Sequence, residues 1–299
     1  MKNIYELADA NKRKSTFIIF LFIAFVTAAG YLMAYSFGYD LSLVGIALII
    51  SGIISFASFY YSDKIILSIS KAIPANRKAH FQFYTVTENL CLVARIPKPR
   101  LFVIEDTAMN AFATGRDPEH AVVVVTTGLL QRLNRTELEG VVAHELSHVK
   151  NFDIRLMGIV TVLVGMITLL ADILLRSRIR GGRGKDDSGQ MGVIIFIAGL
   201  VLVLLSPLIA NLIKLAISRR REFLADASAA KLTRYPAGLA RALKKISQDK
   251  EPLEVANKAT AHLYISNPLK NTHSAIGWFA KAFNTHPPIE ERIKALSSA

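Results

Sequence analysis

The sequence predicts a mainly α, α+β chain: four hydrophobic membrane helices and a cytosolic part that holds a small β-sheet. Three observations lead there. Four long apolar stretches divide the 299 residues. Two β-branched runs, residues 100–105 and 121–126, stand between the second and third stretches and read as strands. The pattern His144-Glu145-Leu146-Ser147-His148 lies in an apolar, helix-forming segment that leads directly into the third stretch.

The stretches come first. Residues 15–39 and 41–62 carry no charge, 156–171 is uncharged and continues apolar to 175 past Asp172, and 191–213 is uncharged. Each is near the ~20 residues a helix needs to cross a hydrocarbon core. Hydrophobic residues make up 52% of the chain, too many for an ordinary soluble enzyme. The first run is too long for a cleaved signal peptide, and a second follows at once. The expected division is a transmembrane hairpin over 1–62, a cytosolic part over 63–155, a second membrane hairpin over 156–217 and a second cytosolic part over 218–299.

The net charge of +13 does not point to nucleic acid, because much of the basic excess flanks the apolar runs: Lys12, Arg13 and Lys14; Arg176, Arg178 and Arg180; Arg219, Arg220 and Arg221. That placement suits anionic lipid head groups, so the bilayer is the expected partner. After Lys14 no Lys or Arg occurs until Lys64, which puts the N-terminus in the cytoplasm and the first short loop outside. The loop 176–190 has five basic residues against two acidic ones and would lie outside if the second hairpin crosses fully. Full crossing and partial entry are both open. The single Cys91 excludes an internal disulfide and reads as core.

In the soluble part, residues 64–94 read as mostly helical, broken near Pro74 and stopped by Pro97 and Pro99. Residues around Asn110 form an edge strand or loop to which a peptide can add by main-chain hydrogen bonds. Residues 128–133 start a short helix. After Asp226 the chain reads as helical again through Lys245, 262–266 is a possible short strand, and 266–274 is a polar loop. His262 and His273 have no ligand spacing.

His144 and His148 are four apart, so on a helix both imidazoles face one side and can bind one metal. Glu145 is placed to reach a water on that metal. The plain alternative is a pair of surface histidines on a solvated helix. Against it stand the capping box read at Thr136-Glu137-Leu138-Glu139 and an apolar side of Leu138, Val141, Val142, Leu146 and Val149. A third ligand is expected at Glu222. His148 lies eight residues before the third stretch and Glu222 nine after the fourth, which puts both ~12–14 Å beyond their span ends. Asp226, one turn on, can accept the second imidazole N–H of a ligand histidine. Glu222 as a surface charge offsetting its arginine neighbours is the alternative.

Together, His144 to His148 and Glu222-x-x-x-Asp226 resemble the membrane-embedded gluzincin peptidases, a family that includes the eukaryotic CAAX prenyl protease. Size, apolar segments and their order are most similar to the bacterial HtpX-like branch, over essentially the whole chain. Asn110-Ala111-Phe112 resembles the family's N-A-F element. Thr285-His286-Pro287-Pro288 with Arg292 resembles its C-terminal H-P motif. The resemblance implies a gluzincin-type zinc metalloprotease domain, with one zinc per chain held by His144, His148 and Glu222 and with Glu145 as general base. It also implies that Asn110 and His286 lie near the reacting carbonyl and that Arg292 supports the ligand carboxylates. Plainer readings are a turn for Asn110, a helix start at Thr285, a scaffold role for His286 and a solvated charge for Arg292. The implied substrates are misfolded or damaged membrane proteins, or other unfolded polypeptides. They are cut at the cytoplasmic face of a bacterial inner membrane in a stress response. A processing enzyme for CAAX-type or other specific peptides is the alternative, and a transporter with a structural metal the non-enzyme one. Oligomeric state is not read from the sequence.

Overall fold

The computed structural model describes residues 4–37, 40, 42–165, 219–256, 260–268 and 287–298. Most of these are helical and they include one four-stranded sheet. The end of the third apolar stretch, the basic loop 176–190 and the fourth stretch lie outside the described residues.

The described residues of the first two stretches fall within α1 (Ile4–Phe37) and α2 (Ser42–Ile69). Among the described residues, one helical segment is long and apolar enough to cross a membrane, Val44–Ile69. Its two faces differ. Ser51, Ser55, Ser58 and Ser62 recur at helical spacing and are buried, whereas Ile46, Ile49, Ile53 and Phe56 are exposed. The small side chains allow close packing: a Cβ at Gly158 would lie 3.0 Å from Ser62 Oγ. Gly158 belongs to α6, residues 153–165, whose Leu156, Ile159, Val160 and Leu163 pack on Ile18 and Phe22 of α1. Past the apolar run, Asp63 of α2 pairs with Arg100 of the sheet and ties the hairpin to the rest of the chain.

The sheet holds β1 (Ile73–Pro74), β2 (Arg100–Ile104), β3 (Ala111–Thr114) and β4 (Val122–Thr126), in the order β1-β2-β4-β3. β2 and β4 run parallel, with Phe102 opposite Val124, and β3 is antiparallel on β4, with Phe112 opposite Val124. Both faces of β4 are covered. Val123 and Val125 join the core under α3 (Phe81–Ala94), and Val122 and Val124 join Phe112, Met157 and Tyr264. A strand buried on both faces reads as a continuous apolar run without alternation.

After the short α4 (Thr127–Arg132), α5 (Arg135–Lys150) runs through the largest hydrophobic core cluster. Its start differs from the box expected at Thr136 and Glu139. Asn134 is the cap: its side chain accepts from Glu137 N–H at 3.0 Å, and Glu137 accepts from Asn134 N–H at 2.9 Å. Glu137 is buried and also ion-paired to Lys245 at 2.7 Å, so tertiary packing selects it over the exposed-side Glu139. α5 crosses α8 (Pro236–Gln248) through two glycines. A Cβ on Gly140 would come within 2.6 Å of Leu239 N, and one on Gly238 within 2.6 Å of Thr136 O.

The region expected to be helical past Asp226 is two helices. α7 (Arg219–Thr233) ends, Arg234 turns left-handed at φ 53°, and Pro236 opens α8. Proline has no N–H to donate and its ring clashes with a preceding helical turn, so it suits the first turn of a new helix. The strand expected at 262–266 is a 3-10 turn, Ala261–Leu263, followed by irregular chain. This segment still lies along β3: Ile265 N–H donates to Ala111 C=O at 2.9 Å. The edge to which a peptide was expected to add is therefore already covered at Ala111. The last helix, α9, is Ile289–Ser297 with Pro288 at its cap, so it starts later than the Thr285 cap expected.

Candidate metal centre and active site

α5 supplies His144, Glu145 and His148, α7 supplies Glu222 and Asp226, and α9 supplies Arg292. All six are buried, although they come from three separate parts of the chain. Nε2 of His144 and Nε2 of His148 are 3.2 Å apart. Glu222 closes the triangle, with Oε2 3.7 Å from His144 Nε2 and Oε1 3.6 Å from His148 Nε2. In a tetrahedral site with metal–ligand bonds near 2.05 Å, ligand atoms are ~3.3 Å apart. The donor set fits a metal ion of that size.

The outer partners decide which ring nitrogens face inward. Asp226 Oδ1 lies 2.9 Å from His144 Nδ1, and Asp153 Oδ2 lies 3.0 Å from His148 Nδ1. A carboxylate accepts, so in the neutral, metal-binding form of each ring Nδ1 carries the proton and the Nε2 lone pair faces the other Nε2 and Glu222. Three converging acceptors need a cation between them. Four buried carboxylates (Glu145, Asp153, Glu222 and Asp226) gather here against the guanidinium groups of Arg221 and Arg292. A divalent ion balances that set.

Titration behaviour points the same way. Burial opposes charge on His148, yet the Asp153 hydrogen bond and the charges of Glu222, Asp153 and Glu145 outweigh it and raise its pKa to about 9. Surroundings that hold a proton this firmly favour a cation at the same place. Burial also works against Asp226, but hydrogen bonds from Arg292 and His144 bring its pKa below the usual carboxylate range. Arg292 grips Asp226 at both oxygens, Nε at 2.8 Å and Nη2 at 2.7 Å. Its Nη1 donates to Ile265 C=O at 3.3 Å and lies 3.7 Å from Glu222 Oε2. Arg292 is fully buried, so the reading of a solvated helix charge is wrong for it. Glu145 differs from the other carboxylates. Burial pushes its pKa up, against the pull of His144 and His148, and no protein donor bonds its carboxylate among the described residues.

Of the other expected residues, Asn110 is engaged elsewhere. The side-chain amide of Asn110 is engaged at 3.0 Å with Ser266 C=O, and its Oδ1 accepts from the Ser266 and Ala111 N–H groups. His286, with Thr285 and His273, lies outside the described residues. Sequence reasoning missed Asp153, Arg221 and Asn11. Arg221 Nη1 reaches Asp153 Oδ1 at 3.1 Å, and Asn11 Nδ2 donates to the same oxygen at 2.7 Å. The signal that could have found Asp153 is its place just past the end of the histidine helix. Asn11 is 142 residues from its partner and has no local signal.

Such a cage, with an unengaged carboxylate one residue from its first histidine, defines a metal-dependent hydrolase class. Residues 78–299 match Peptidase family M48. The chain is 45% identical over 300 residues to the protein described as "Protease HtpX homolog" of Thermoanaerobacter pseudethanolicus, covering 99% of this chain and 98% of that one. It is 44% identical over 295 residues to the homolog of Dictyoglomus turgidum, covering 98% and 93%. A crystal structure of S. mikatae Ste24p is similar with a TM-score of 0.46 and 22% identity, over 98% of this chain and 67% of that one. The chain belongs to peptidase family M48 and is a metalloprotease.

Proposed function

We propose that this chain is a zinc-dependent, multi-pass membrane endopeptidase that cleaves misfolded or damaged membrane proteins at the cytoplasmic face of a bacterial inner membrane. The observation that carries the reading is the buried acceptor cage beside Glu145, a carboxylate with no protein donor among the described residues. His144, His148 and Glu222 hold the ion, and two imidazoles with one carboxylate suit zinc. When bound, zinc supplies Lewis acidity toward a water and toward the scissile carbonyl. Glu145 takes the proton from that water and returns it to the leaving amine. Its burial raises its proton affinity toward what such a shuttle needs. Asp226 and Asp153 fix the two imidazole tautomers, and Arg292 keeps Asp226 ionised. Asn110 holds the main chain at Ser266, and His286 keeps the place near the reacting carbonyl that the resemblance implies.

Membrane embedding is supported by the exposed apolar face of α2. Cations and rings also gather at one end of the hairpin, with Lys12 4.4 Å from the Phe152 ring, Arg155 5.3 Å from Phe59 and Arg116 5.5 Å from Tyr60. Aromatic and basic side chains favour the membrane–water boundary. That end lies beside the metal cage, since Asn11 bonds Asp153, and it carries the basic residues 12–14 that mark the cytoplasmic side.

The test uses the detergent-purified chain on an unfolded membrane protein, with zinc and with a chelator, beside Glu145→Gln. Zinc-dependent cleavage that the variant lacks is the expected result. Cleavage retained by Glu145→Gln would sink the mechanism. Zinc binding without cleavage of unfolded protein, but with cleavage of a prenylated CAAX peptide, would move the substrate to the processing class.

A further inference from the structure

From the contacts of the N-terminal helix we infer that Asn11 is a positioning residue of the metal centre, so that α1 belongs to the active site as well as to the membrane anchor. The inference rests on the reading of the cage as a metal site.

Two sets of contacts on α1 converge on the turn between α5 and α6. Asn11 is 3% exposed, although amide side chains near a helix end usually stay wet. Its Nδ2 donates to Asp153 Oδ1 at 2.7 Å and to Asn151 C=O at 2.9 Å. Asp153 Oδ2, the other oxygen, accepts from His148 Nδ1 at 3.0 Å. One carboxylate therefore links the N-terminal helix to a histidine of the cage. The second contact is Lys12, whose ammonium sits 4.4 Å from the centroid of the Phe152 ring.

The turn needs holding. Phe152 has φ 59°, in the left-handed region that strains a residue with a Cβ. That turn sets where Asp153 stands relative to His148. Asn11 bonds the carbonyl before Phe152 and the carboxylate after it, and Lys12 covers the ring between. Arg221 Nη1 completes the arrangement, 3.1 Å from Asp153 Oδ1 and 3.5 Å from Asn11 Oδ1. The imidazole tautomer and its direction toward Glu222 thus depend on a helix more than a hundred residues upstream.

The experiment measures zinc affinity of the full chain in detergent by competition with a chromophoric chelator. Asn11→Leu keeps the branched skeleton and removes both amide N–H donors. Asn11→Asp keeps the shape and places a carboxylate against Asp153. Partners of this outer kind are worth ~10–100-fold in metal affinity. We expect about a tenfold loss for Asn11→Leu and a larger one for Asn11→Asp. Thr16→Ala, on the exposed side of the same helix, should bind zinc as the wild type does. Acting through Asp153, Asn11→Leu should add little when combined with Asp153→Asn. Unchanged affinity in a folded Asn11 variant, or losses that simply add in the double variant, would overturn the inference. If neither variant folds, the wild type decides: coupling is reciprocal, so zinc must slow hydrogen exchange of α1 around Asn11. Exchange there that ignores zinc overturns the inference. A wild type that binds no zinc at all sinks the cage reading itself, a result distinct from either.

Discussion

The two histidines of the cage have the same chemistry and different foundations. His144 leans on Asp226, which Arg292 grips at both oxygens, and all three are at most 2% exposed. His148 leans on Asp153, which shares Arg221 and Asn11 at a turn beside the membrane-length helices, and the Arg221 side chain is 11% exposed. One side is a dry ion pair between α7 and α9. The other is a wetter hydrogen-bonded joint that includes the N-terminal helix. Losing one partner of a dry pair leaves a charge stranded, whereas a wetter joint can recruit water.

The largest effect expected is on turnover and is common to both sides: Glu145→Gln should lower the cleavage rate by ~10²–10⁴-fold with zinc still bound at one ion per chain. If zinc is lost as well, Glu145 belongs to the cage and the comparison has the wrong members. Next, Arg292→Met should cost ~3–5 kcal/mol of stability by stranding Asp226. The same change at Arg221 should cost clearly less, and equal melting shifts for the two would erase the contrast. Asp226→Asn and Asp153→Asn should each weaken zinc by ~10–100-fold in a chelator competition, with the greater loss of thermal stability at Asp226. The smallest effect expected on zinc is that of Gly140→Ala, although overpacking against Leu239 should cost ~1–3 kcal/mol of stability. Its close neighbours belong to Leu239 and not to either histidine support, so the folded fraction should keep wild-type zinc affinity.

Much of this was legible in local pattern. The i, i+4 histidines require one helical face, and the valine run 122–125 requires a strand covered on both sides; the structure has both. The helical reading from Asp226 to Lys245 holds for residue type, but Arg234 turns left-handed and Pro236 opens a new helix, so the region is two helices. The cap moved from Thr136 to Asn134 because Lys245, far along the chain, holds Glu137 at the helix start. The strand expected at 262–266 yielded to a 3-10 turn, with His262 Nε2 held 2.9 Å from Thr161 Oγ1 of α6.

The sequence by itself determined the chemistry on offer: two imidazoles in register, a neighbouring carboxylate, a second carboxylate pair one helical turn apart, and apolar runs of membrane length. Those follow from spacing within one helix, where geometry is set by 3.6 residues per turn. Tertiary structure alone decided which outer groups stand behind each histidine, which carboxylate caps α5, and that the edge of β3 is covered at Ala111. Asn11, Asp153 and Arg221 meet only because three helices pack together. Hydrogen bonds across such distances leave no periodicity in the chain, and a buried polar group declares its role only when its partners are in place.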